Sequence, residues 1–165
     1  MKLQVAGFLD NSLVNGKGFR SVVFVSGCRH NCEGCQNKSM KDFKYGDSVD
    51  VKEVFERIKK NRPIIKGVTF SGGEPFEQSK ALSKLAKDIK DDGLNLWSYT
   101  GYTFEEILNS KDENKVELLK CLDVLVDGKF DKNLMKNAPK YAGSSNQRII
   151  DVQTSLKSKK VIILK

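Results

Sequence analysis

Apolar positions along the chain follow two alternating patterns. Short β-branched runs bounded by glycine or polar residues alternate with stretches in which apolar residues recur every three or four positions. The first strong run, Ser21-Val22-Val23-Phe24-Val25-Ser26, predicts a strand that stops at Gly27. A polar loop continues to about residue 47. Val51, Val54, Phe55 and Ile58 then fall at i, i+3, i+4 and i+7, one face of a helix, with Ser48 or Asp50 placed to cap it. A second strand is predicted over residues 64–70, running straight into Ser71-Gly72-Gly73-Glu74-Pro75. Leu82, Leu85, Ala86 and Ile89 mark a second helix, ended by Asp92-Gly93, and residues 94–99 form a third strand. Thr103 and Glu106 have capping-box spacing and open a short helix through Ile107 and Leu108. Further helical turns pass through Val116 and Leu119, and residues 122–126 form a fourth strand that ends at Asp127-Gly128. Segments 148–152 and 160–164 are both strand-like.

Strands alternating with amphipathic helices imply an α/β fold of βα units on a mostly parallel sheet. In such sheets the chemistry gathers at the carboxyl ends of the strands. Four unusual loops come directly after predicted strands here: the cysteine-bearing loop, the Gly-Gly-Glu-Pro turn, Thr100-Gly101-Tyr102 and Asp127-Gly128-Lys129. They are expected on one rim. No repeat, low-complexity tract or Pro/Gly/Ser-rich linker interrupts the chain, so one domain over residues 1–165 is expected.

Composition changes this picture little. The chain is 39% hydrophobic and 30% charged, an ordinary globular balance. No apolar run approaches the roughly 18 residues of a membrane span. The start, Met1-Lys2-Leu3-Gln4-Val5-Ala6-Gly7, has no long apolar stretch, so a cytoplasmic protein is expected. Basic residues outnumber acidic ones by 29 to 21, for a net charge of +8. Only Arg20, Arg29, Arg57, Arg62 and Arg148 are arginines, and the lysines are scattered. Arginine's bidentate fork is the usual reader of bases and phosphates. The charge therefore reads as a solvated surface suited to an acidic protein partner, with no direct nucleic-acid role.

Three of the four cysteines fall within eight residues, Cys28-Arg29-His30-Asn31-Cys32-Glu33-Gly34-Cys35. Three thiolates alone do not complete a tetrahedral zinc site. They would hold three corners of a four-iron cluster and leave the fourth iron open to a small molecule. The rival readings are a zinc knuckle completed by His30 or Cys121, an electron-carrying ferredoxin lacking its fourth local cysteine, and a structural loop. His30 lies between two cysteines, where loop geometry disfavours the same metal, so a supporting or solvent-facing place is expected. Cys121 precedes a predicted buried strand and reads as an inert core thiol.

The Cys-x3-Cys-x2-Cys loop after an early strand resembles the signature of the radical S-adenosylmethionine superfamily, and Ser71-Gly72-Gly73-Glu74-Pro75 resembles its second motif. The superfamily usually has an aromatic residue before the last cysteine, where this chain has Gly34. That glycine suits the glycyl-radical-enzyme activases, and among them the subfamily that serves anaerobic ribonucleoside-triphosphate reductase. The likeness spans residues 14–150. It includes Val14-Asn15-Gly16-Lys17-Gly18-Phe19-Arg20, where Lys17 replaces a frequent proline, and Phe24-Val25-Ser26-Gly27-Cys28. It continues in Ser98-Tyr99-Thr100-Gly101-Tyr102, Leu125-Val126-Asp127-Gly128-Lys129-Phe130 and Gly143-Ser144-Ser145-Asn146-Gln147-Arg148.

The resemblance implies a 4Fe-4S cluster on Cys28, Cys32 and Cys35 and S-adenosylmethionine bound at its open iron. It places Gly34 and Gln36 near the adenine, and Gly72, Gly73 and Glu74 at the methionine end. An electron from flavodoxin or ferredoxin would cleave the cofactor to a 5′-deoxyadenosyl radical, which would take a hydrogen atom from a glycine of the large reductase protein. Asp127, Lys129 and residues 143–148 would either shape the rim or meet the partner. The implied fold is a partial barrel with an open side, since a full eight-unit barrel needs about 250 residues. Competing expectations are an activase of a formate-lyase-type enzyme, a small-molecule or tRNA-base modifying enzyme, and a non-catalytic iron–sulfur or zinc module.

Overall fold

The computed structural model describes residues Met1–Lys165. In chain order the elements are β1 (Lys2–Ser12), β2 (Arg20–Val25), β3 (Asp47–Asp50), α1 (Val51–Lys60), β4 (Gly67–Gly72) and α2 (Ser79–Asp91). Next come β5 (Asn95–Tyr99), α3 (Phe104–Leu108), α4 (Glu113–Cys121), β6 (Val124–Asp127), β7 (Arg148–Asp151) and α5 (Val152–Ser158). All seven strands join one sheet in the order β3-β1-β2-β4-β5-β6-β7. The central four, β2, β4, β5 and β6, are parallel to one another. β1 and β7 flank them antiparallel, and β3 closes one edge antiparallel to β1. The mixed α/β architecture with a parallel centre agrees with the βα pattern in the sequence. No helix is long and apolar enough to cross a membrane.

The central strands read as near-continuous apolar runs because both sheet faces are covered. On one face Val23, Val25, Phe70, Leu96 and Leu125 join a core of 25 buried residues with Val54 and Ile58 of α1, Leu82, Leu85 and Ile89 of α2, and Leu118 and Leu119 of α4. On the other, Trp97, Val124 and Val126 are covered by Tyr141, Ala142, Ile149 and Leu164. Arg20 is buried at the start of β2, at the end of the parallel strands away from the cysteines. Its guanidinium donates to Thr69 Oγ1 at 2.8 Å, to the Lys17 and Val68 carbonyls, and to Asn95. Burial pulls its pKa down to about 10, against the opposing pull of the Asp123 carboxylate.

β1 lies where no strand is predicted, and three sequence expectations need correction. β1 is an eleven-residue strand in a segment without a strong strand pattern. Gly7, Asp10 and Asn11 lower its intrinsic preference, and pairing with β2 and β3 outweighs them. The second predicted strand starts late: Ile64 is exposed in a turn and β4 begins at Gly67. Val152 opens a helix because the Asp151 side chain caps it, accepting from the Thr154 amide. Residues 160–164 contribute a single bridge, Ile150 to Ile163, rather than a strand.

The capping expectations hold. Asp50, not Ser48, caps α1 through the Lys52 amide, and Thr103 and Glu106 form a complete capping box on α3. Thr103→Ala is expected to lower stability by about 1 kcal/mol in urea unfolding, since its hydroxyl is the acceptor for the Glu106 amide in that box.

Candidate functional site

The four loops beyond the carboxyl ends of β2, β4, β5 and β6 meet on one rim. The cysteine loop is pinned at its root, where the Gly27 amide donates to the Met40 carbonyl at 2.7 Å and the Cys28 amide to the Lys41 carbonyl at 3.1 Å. Cys28, Cys32 and Cys35 are all free thiols and only half-buried. Burial nonetheless pushes the Cys28 thiol above its ordinary pKa. Cys121 lies at the end of α4 against the helix-covered core, well away in the fold, and burial raises its thiol too.

The Gly-Gly-Glu-Pro turn is sewn directly to that root. Gly73 donates to the Val25 carbonyl at 2.8 Å and Glu74 to the Gly27 carbonyl at 2.7 Å. A Cβ on Gly73 would lie 2.6 Å from both the Gly27 and Met40 carbonyl oxygens, so only glycine lets the two loops approach this closely. The Gly72 carbonyl accepts from the Asn37 side chain at 3.2 Å. Gly34 has a left-handed backbone against the Lys132 side chain, and Gln36 is exposed two residues further on. The residues assigned from sequence to cluster and cofactor therefore share one rim.

Glu74 is the exception in kind. Its carboxylate is buried and engaged by protein donors: the Thr100 hydroxyl at 2.9 Å, the Gly101 amide at 2.7 Å, the Phe76 amide at 3.0 Å and His30 Nε2 at 2.7 Å. Sequence reasoning misses this convergence of three loops. The Thr100-Gly101 turn stands out after its strand, but nothing in its spacing links it to residue 74. Tyr102 adds a second connection, donating to the Glu77 carboxylate that also pairs with Arg29.

Asp127 is likewise internal. It accepts from the Phe104 amide at 2.8 Å and from both Arg148 Nε and Nη2. Segment 143–148 holds the neighbouring turn: Gln147 donates to the Gly128 carbonyl and Asn146 to the Lys129 carbonyl. Lys129 is exposed beside a cavity of about 280 Å³ that also takes in Glu33, Lys132 and Asn146. The larger depression, lined by Asp10, Glu53, Arg57 and Lys60, lies beside α1 and β1, off the rim and without a hydrophobic residue.

No three His, Cys, Asp or Glu side chains converge on a position for one metal ion. Three free, half-exposed thiols on a loop pinned at its root are the kind of donor set a four-iron cluster takes.

The sequence pattern of the 4Fe-4S single cluster domain family matches residues 14–150. The chain is 38% identical over 143 residues to the anaerobic ribonucleoside-triphosphate reductase-activating protein of Enterobacteria phage T4, covering 82% of this chain and 86% of that protein. The protein of the same name from Pasteurella multocida is 34% identical over 86% of this chain and 93% of its own length. That of Escherichia coli K12 is 35% identical over 82% and 90%.

Proposed function

Since the chain belongs to the family of anaerobic ribonucleoside-triphosphate reductase-activating proteins, we propose that it activates such a reductase by generating a glycyl radical on it. In this reading Cys28, Cys32 and Cys35 hold a 4Fe-4S cluster. The carbonyl-lined Gly72-Gly73-Glu74 main chain receives the methionine end of S-adenosylmethionine, and Gly34 and Gln36 flank its adenine. A cluster and S-adenosylmethionine held by these residues would supply one-electron reductive cleavage, the chemistry needed to remove a hydrogen atom from a glycine Cα.

The protein's own part is placement. The rim brings the thiols and the Gly-Gly-Glu-Pro turn together, so that a bound cofactor is oriented by the main chain of one loop beside the thiols of the other. No side chain is required as a general acid or base. The proposed setting is a cytoplasmic, single-domain partial barrel whose open side admits the reductase's glycine. A reduced flavodoxin or ferredoxin serves as the donor. The observation that supports the reading most is the joining of the cysteine loop to the Gly-Gly-Glu-Pro turn by the Glu74–Gly27 main-chain bond.

The test mixes the anaerobically reconstituted chain, S-adenosylmethionine, a reductant and the anaerobic reductase, and monitors electron paramagnetic resonance. A glycyl-radical doublet with matching 5′-deoxyadenosine is expected. A fully loaded cluster that yields neither in the presence of the reductase refutes the proposal.

A further inference from the structure

His30 is the chain's only histidine, and its side chain is 9% exposed although it lies in a rim loop. Its ring is not gathered with the thiols around an ion position. Instead Nε2 lies 2.7 Å from Glu74 Oε1. Glu74, 1% exposed, already accepts from Thr100, Gly101 and Phe76, so the imidazole is the donor in this contact. The ring is fixed from the side as well. Tyr102 meets it edge-on with centroids 4.5 Å apart, and a Cβ on Gly101 would lie 2.5 Å from its Cδ2. Gly101 is thus the glycine that makes room for the imidazole.

The crest of the cysteine loop has few other anchors. Main-chain bonds tie its root, at Gly27 and Cys28, and one more closes Cys35 onto Cys32 within the loop itself. Between those points, side chains alone attach the crest to the body. Arg29 pairs with Glu77, Asn31 accepts from Lys41, and Glu33 pairs with Lys132. Each of these has at least one solvated partner, Arg29 being 71% exposed, and exposed pairs hold little. His30–Glu74 is the one attachment buried at both ends, where a hydrogen bond to a charged acceptor is strongest.

We propose that His30 and Glu74 are a positioning pair, in which the imidazole anchors the crest of the cysteine loop to the Gly-Gly-Glu-Pro turn and so sets Cys28 and Cys32 against the main chain that receives the cofactor. The meaning of that placement rests on the cluster reading above. The anchor itself is a property of the protein alone. Thr100 extends the pair, accepting from the Tyr102 amide while donating to Glu74, so the β5 loop is locked to the same carboxylate.

The test uses the full-length, reduced, metal-free chain and a maleimide probe, with labelled cysteines located by peptide mass mapping. His30→Ala is expected to speed labelling of Cys28 and Cys32 about tenfold by freeing the crest to open locally. Cys121 serves as the internal control, and its rate is expected to stay unchanged, with a melting temperature within about 3 °C of wild type. His30→Gln, which keeps an N–H donor near the Nε2 position, is expected to restore slow labelling. After anaerobic loading, His30→Ala is expected to show reduced iron content and an altered paramagnetic signature, with His30→Gln close to wild type. Unchanged labelling of Cys28 and Cys32 in His30→Ala overturns the proposal, as does a rise shared equally by Cys121. A wild-type chain that takes up no iron but shows the expected labelling pattern overturns the cluster reading and leaves the anchor standing.

Discussion

Replacing Cys32 by alanine is expected to abolish cluster assembly and cofactor cleavage together. Three thiolates are the minimum that leaves one iron open while holding the other three. With Cys32 gone, Cys28 and Cys35 would each hold one corner from opposite ends of the loop, and a bridging second pair of thiols does not exist nearby. Iron content after anaerobic reconstitution is expected to fall from about four per chain to near zero. 5′-Deoxyadenosine formed with dithionite and S-adenosylmethionine is expected to fall below detection. Cys121→Ala is the matched control: its thiol is remote from the rim and half-buried against the helix-covered core, so loading should be kept. A Cys32→Ala chain that still binds a full complement of iron and cleaves the cofactor would remove the ligand assignment. Uptake of zinc and no iron by the wild type would remove the cluster altogether.

Asp127→Ala is expected to lower stability by about 3 kcal/mol. The carboxylate is 1% exposed and joins three elements. It closes β6 onto β7 through a two-pronged contact with Arg148 and holds the first turn of α3 through the Phe104 amide. Removing it leaves that buried amide without an acceptor and Arg148 paired only with Glu105. The value sits at the low end for a broken buried pair because Arg148 remains 32% exposed and regains water. For a chain of this length the melting temperature should drop by about 10 °C in calorimetry of the metal-free protein. Asp127→Asn, which keeps one acceptor oxygen, should fall by less than half of that. A change under about 2 °C for the alanine variant would show that the carboxylate is no joint of the fold.

Much of the rim is legible in local sequence. Cys28, Cys32 and Cys35 announce themselves by spacing, and Gly72-Gly73-Glu74-Pro75 by its place directly after a strand. The helix caps at Asp50 and Thr103 are also readable, because a cap is made within three residues of itself. β1 is not. Its residues have no strong preference for a strand, and it forms because β2 and β3 offer unpaired edges from elsewhere in the chain. α5 escapes for a related reason. The run Arg148-Ile149-Ile150-Asp151-Val152 looks like one strand, and the Asp151 side chain divides it by capping the helix that begins at Val152.

Side-chain roles at the site divide along the same line. Glu74 reads from sequence as part of a cofactor motif, yet its carboxylate is committed to His30, Thr100, Gly101 and Phe76. The glycine at position 101 looks like an ordinary turn residue, and only the imidazole of residue 30 explains it. Asp127 could have faced a partner or ended a strand, and Arg148 decides the matter from 21 residues away.

By itself, then, the order of residues determined the alternation of strands and helices, the caps, and the chemistry on offer at the rim, because periodicity, capping and ligand spacing act over a few neighbouring positions. The tertiary structure alone decided which of those groups stay open on the rim and which are consumed in holding the loops together. That choice depends on hydrogen bonds between residues as far apart as 30 and 74, made only after parallel strands bring separate loops to one end of the sheet.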